Sequence, residues 1–140
     1  MPIVIGIVLS LVVAVFARRV GFDRDRAFYP TVLIVVASYD VLFATINASP
    51  STLLIELIVM AGFAIAAVIG FRSTPWILVA GLAGHGIFDA VHGMIVTNPG
   101  MPPWWPAFCA AYDIGAAVWL AWYLVFPVKL AMSGGRPHEQ

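Results

Sequence analysis

Between Gly81 and Gly93 the chain reads G-L-A-G-H-G-I-F-D-A-V-H-G, which sets His85, Asp89 and His92 inside an apolar run. At about 100° per residue, Asp89 falls about 40° to one side of His85 and His92 about 20° to the other, so a helix presents all three on one face. Two imidazoles and a carboxylate form a donor set suited to zinc or non-haem iron. An ionisable residue inside a membrane helix is costly, and is a functional-site hypothesis by default.

Three more acids, Asp40, Glu56 and Asp113, lie in other apolar runs. Four of the seven acids are therefore interior, while none of the seven lysines and arginines is. Each aspartate at a helix centre costs on the order of 3 kcal/mol on insertion scales. With no basic partner in the runs, compensation must come from protonation, mutual hydrogen bonds, histidine or a bound cation. The expected arrangement is a divalent metal ion, zinc or iron, held by His85, Asp89 and His92 with Asp40 as fourth ligand. Glu56 and Asp113 then complete the shell, orient an imidazole or act as general base.

Asp89-Ala-Val-His92 also has the carboxylate-x-x-His spacing of di-metal four-helix sites. The four carboxylates and two histidines of such sites are the inventory found here. Two divalent cations would offset four carboxylates. One haem cannot take both histidines as axial ligands, because they lie about 10 Å apart along one helix axis. The alternative from another class is a proton- or cation-coupled transporter using the same acids and histidines. A purely structural polar core of protonated, hydrogen-bonded acids is the remaining one.

The elements that must position these residues follow from composition. The 140 residues are 62% hydrophobic and 10% charged, with a mean hydropathy of +0.99. Soluble domains are about 45–50% apolar and about 25% charged. Such a balance excludes an ordinary globular enzyme and a disordered chain. With zero net charge and no basic cluster, nucleic-acid binding has no support. Cys109 is the single cysteine, which rules out an intrachain disulfide.

Apolar runs over 2–17, 29–48, 52–71, 76–96 and 107–126 each approach the roughly 20 residues that cross a bilayer. They predict an all-α integral membrane protein, a single domain of five transmembrane helices with a mobile tail at 128–140. The charged stretch 18–27 is read as a solvated loop. Ser49 or Ser51 is the expected N-cap of the third helix. Asn98–Pro106, with four prolines, is read as a stiff loop.

Arg18, Arg19, Arg24 and Arg26, then Arg72, then Lys129 and Arg136 all fall on one side of this topology. The positive-inside rule makes that side cytoplasmic, with the N-terminus outside. At about 1.5 Å per residue, the six interior residues then share one layer in the outer half. Asn47, Trp104 and Trp105 are the expected entrance, with indole rings at the interface.

The sequence thus predicts a multi-pass protein of the cell membrane, the inner membrane in a bacterium. Its expected activity is that of a metal-binding membrane enzyme, a hydrolase or oxidoreductase. The expected substrate is a small apolar or periplasmic-side molecule, and the bilayer is the main partner. A homodimer is the expected assembly, on the general ground that five helices are few.

Overall fold

The computed structural model describes residues 1–47 and 49–126, and those residues form an all-helical bundle. The helices are α1 (Pro2–Val20), α2 (Phe28–Asn47), α3 (Pro50–Arg72), α4 (Trp76–Ile95) and α5 (Trp105–Val125). All five are long and apolar enough to cross a membrane. The tail 128–140, with Lys129, Arg136 and His138, lies outside the described residues, as do Ala48 and Pro127.

The helix boundaries depart from the apolar runs where capping chemistry intervenes. α1 continues through Arg18 and Arg19, because positive charge in a last turn complements the helix dipole. It stops at Gly21, whose φ of 92° is the left-handed conformation that glycine adopts without a Cβ clash. The stretch from Arg18 to Ala27 is therefore only partly a solvated loop. Arg18 pairs with Asp23 at 3.1 Å and lies over the Tyr123 ring, 4.6 Å from its centroid. α3 begins at Pro50, and Ser49 is its cap, accepting a hydrogen bond from the Thr52 amide. α5 begins at Trp105 instead of Ala107, since Pro106 falls in the first turn, where no intrahelical N–H bond is lost.

α4 is the central element, packed on α5 and in contact with α2 and α3. α2 packs along α3, and α1 attaches to the outer face of α5. The arginine-bearing turns meet at one end of the bundle, where Arg26 donates to the Phe71 carbonyl at 3.0 Å. At the opposite end, the loop end, Thr52 donates to the Thr97 carbonyl at 3.2 Å and ties the α2–α3 turn to the α4–α5 loop.

The interior is divided along its length. Towards the arginine end it is apolar, filled by Leu33, Ala67, Leu78, Leu82, Ala117 and Leu120. Towards the loop end it contains the carboxylates and imidazoles. Large apolar side chains such as Ile58, Ile65, Ile87 and Val118 face outward, each at least 60% exposed. Water would penalise such a surface, whereas hydrocarbon would not.

Close approach of α4 and α5 fixes the site. A Cβ on Gly86 would lie 3.0 Å from the Ala110 carbonyl oxygen and 3.2 Å from the Asp113 Cβ. Small residues permit this spacing between membrane helices, and here it sets His85 beside Asp113. Gly86→Ala is expected to cost about 1–3 kcal/mol through overpacking. Gly62→Ala, where a Cβ meets no atom within 4 Å, is expected to hold or raise stability, by up to about 1 kcal/mol of helix propensity. Thermal unfolding of the two variants in detergent micelles checks the contrast.

Candidate metal centre

Four helices deliver the six interior groups to one layer. α4 supplies His85, Asp89 and His92, while α2 supplies Asp40, α3 supplies Glu56 and α5 supplies Asp113. None of the six is more than 2% exposed. Among the described residues, the only ion-pairing partners of these four acids are the two histidines. The imbalance expected from the sequence is therefore present inside the bundle.

His85 sits among three carboxylates. Its Nδ1 donates to Asp113 Oδ2 at 2.7 Å, and Asp89 Oδ2 lies 3.4 Å from the same nitrogen. Its Nε2 faces Asp40 Oδ2 at 3.7 Å and makes no hydrogen bond. Phe63 packs edge-on against the ring, with centroids 4.8 Å apart. A carboxylate on one imidazole nitrogen fixes tautomer and ring orientation, leaving the other nitrogen as a ligand. Asp113 therefore acts as the orienting group, and Nε2 is the nitrogen left available.

His92 belongs to a second cluster. Its Nε2 donates to Glu56 Oε1 at 2.8 Å, and Phe88 packs across its ring at 5.3 Å. Asn98, from the α4–α5 loop, donates its Nδ2 to the same Glu56 oxygen at 3.0 Å and to the Asp40 carbonyl at 3.1 Å. Asn98 is the residue that sequence reasoning misses. It lies in an irregular loop, where helical periodicity gives no facing direction.

Three sets of side chains have ligand atoms within 4.8 Å of one another. They are Asp40, His85 and Asp89; Asp40, Glu56 and His92; and Asp89, Cys109 and Asp113. The stripe on α4 is thus divided, with His85 and Asp89 in one set and His92 in another. Asp40 belongs to both. Asn47 is exposed at the end of α2, and Trp104 is 52% exposed. Trp105 instead turns inward, its ring stacked edge-on with Tyr39 at 5.2 Å and Phe43 at 4.9 Å.

Several buried polar atoms have no hydrogen-bond partner: both Asp40 carboxylate oxygens, Glu56 Oε2, Asp89 Oδ2, Asp113 Oδ1 and His85 Nε2. Each such group costs about 1–3 kcal/mol when nothing satisfies it. The residues that carry them belong to the three overlapping sets. A groove of about 610 Å³ runs between α1, α2 and α5 past Tyr39, Trp105, Phe108 and Tyr112, and Cys109 is part of its wall. Cys109 also neighbours the carboxylates Asp89 and Asp113, which do not line the groove.

No family model, curated protein or solved structure matches this chain. Its function must be argued from the site.

Asn98→Ala removes two hydrogen bonds, one of them to a carboxylate, and is expected to destabilise the protein by about 1–3 kcal/mol. Asn47→Ala, at an exposed position, should stay within about 0.5 kcal/mol of the parent. Detergent-solubilised melting curves of the two variants separate the bound asparagine from the exposed one.

Proposed function

We propose that this chain is a multi-pass protein of the cell membrane, the inner membrane in a bacterium, with a divalent metal site in its outer half. The basic residues of the described chain support the orientation. All lie at the end formed by the α1–α2 and α3–α4 turns, which the positive-inside rule assigns to the cytoplasm. The N-terminus is then outside, and the end of α5 faces the cytoplasm.

The metal reading is carried by one observation: His85, held by Asp113 on Nδ1, turns a free Nε2 towards an Asp40 whose two oxygens also lack partners. Asp40, His85 and Asp89 would hold the ion, zinc or iron, with Asp113 fixing the imidazole. Such an ion acts as a Lewis acid and makes a bound water nucleophilic near neutral pH. Glu56 Oε2 has no partner and is available to accept a proton in the same layer.

The activity this supports is that of a metal-dependent membrane enzyme working on a small lipid-soluble molecule. The aromatic groove favours an apolar substrate arriving from the bilayer, since its wall reaches Cys109 beside Asp89 and Asp113. Trp105 lines that groove, whereas Asn47 and Trp104 do not. A transporter would need a polar route to the other side. Instead, Leu33, Leu78, Leu82 and Leu120 fill the bundle beneath the site.

Elemental analysis of protein purified without chelator is expected to find at least one zinc or iron per chain. His85→Ala and Asp89→Asn should each lower that content by about one ion per chain. Trace metal that is indifferent to both substitutions would sink the proposal. For the enzymatic part, lipid extracts of cells expressing the parent should differ from those expressing His85→Ala in at least one species. Identical extracts would remove it.

A further inference from the structure

The site described so far uses half of the layer. Glu56, His92 and one side of Asp40 hold no ion in that reading, and they form a cluster of their own. Glu56 is 1% exposed, with Oε2 unpartnered, and Asp40 is 2% exposed, with both carboxylate oxygens unpartnered. Their ligand atoms and that of His92 lie within 4.8 Å of one another. Ligands about 2.0–2.1 Å from a tetrahedral ion stand about 3.4 Å apart, so side-chain adjustment alone closes the set.

We propose that the layer holds two divalent cations, one in the Asp40–His85–Asp89 set and one in the Asp40–Glu56–His92 set, with the Asp40 carboxylate bridging them. The inference rests on the metal reading above and extends it to the second set. Bridging follows from the membership of Asp40 in both sets together with the freedom of both its oxygens. A carboxylate that served one ion would leave its second oxygen buried and unsatisfied, at a cost of about 1–3 kcal/mol.

With all four carboxylates ionised, charge is compatible with the same count. Asp40, Glu56, Asp89 and Asp113 contribute −4 when ionised, and a single divalent ion with neutral imidazoles leaves −2. Protonating His92 brings this to −1, which the apolar surroundings still penalise. Two divalent ions with both imidazoles neutral bring the layer to zero. A third ion, in the Asp89–Cys109–Asp113 set, would overshoot to +2, or +1 with a cysteine thiolate. Asp113 is in any case engaged with His85.

The ligand pairing differs from the one that the Asp89-x-x-His92 spacing suggests. Asp89 groups with His85, one turn away on the same helix, and His92 with Glu56 on α3. In this arrangement the second ion replaces the proton that His92 Nε2 shares with Glu56 Oε1. Metal binding of this kind releases protons from its ligands. Asn98 then orients Glu56 from behind, as a carboxylate ligand usually requires. It also ties that carboxylate to the α2 backbone at Asp40, so one loop residue braces two ligands.

The test is loading of the full-length protein with zinc or cobalt(II) in detergent, followed by removal of free metal. The parent should retain two ions per chain. Glu56→Gln keeps a group that accepts from His92 and Asn98, and it should retain one ion, a twofold fall. His92→Gln should do the same, while Asp89→Asn should spare the second set. Cobalt(II) electron paramagnetic resonance of the parent needs no variant. It should show exchange coupling between two ions, replaced by an isolated-ion signal in Glu56→Gln. One ion in the parent, retained in Glu56→Gln and without coupling, would overturn the second site and leave the first intact. No ion at all would overturn both.

Discussion

Four carboxylates enclosed in an apolar bundle, with no lysine or arginine beside them among the described residues, are the constraint on which this structure depends. In water the charges would be solvated separately and the helices would be free of one another. In a low-dielectric interior an ionised carboxylate must be paired, and the two histidines of α4 can pair only with two. The bonds from His85 to Asp113 and from His92 to Glu56 do so, and they join α4 to α5 and to α3. Asp40 and Asp89 are left over, both beside His85. The helix with the histidines is consequently the one through which every histidine–carboxylate contact of the layer passes.

Packing and electrostatics are coupled at Gly86. Its missing side chain lets the backbone of α5 approach α4, and Asp113 comes within hydrogen-bonding distance of His85. A wider separation would leave both groups buried and unpaired. The apolar plug beneath has the complementary effect. Leu33, Leu78, Leu82 and Leu120 exclude water from the arginine end, which strengthens each interaction above them and confines access to the loop end and the groove. The site is thus one-sided by construction.

Much of this is legible in the sequence because membrane helices follow simple rules. Run length gives five helices, and rise per residue places Asp40, Glu56, Asp89 and Asp113 at related depths before any packing is known. What periodicity cannot do is turn a shared face into a shared site. His85 and His92 project in nearly the same direction, yet the seven residues between them span about 10 Å along the axis. That separation, which already prevents them from ligating one haem, also sends them to different neighbours. Asn98 is hidden for another reason. It lies in a loop, where turn and capping chemistry set direction in place of the 3.6-residue repeat.

The bridging position of Asp40 also accounts for its place on a helix that supplies no other buried charge. α2 lies against both α3 and α4, so a side chain at its inner face can reach the Glu56–His92 cluster and the His85–Asp89 cluster at once. The Asn98 bond to the Asp40 carbonyl fixes the backbone at that point, so the carboxylate is held between the clusters by the loop as well as by the helix. An acid that costs several kcal/mol alone in hydrocarbon would be offset there by the two cations proposed above. The two histidines on α4 define where the clusters lie; the single acid on α2 makes them one centre.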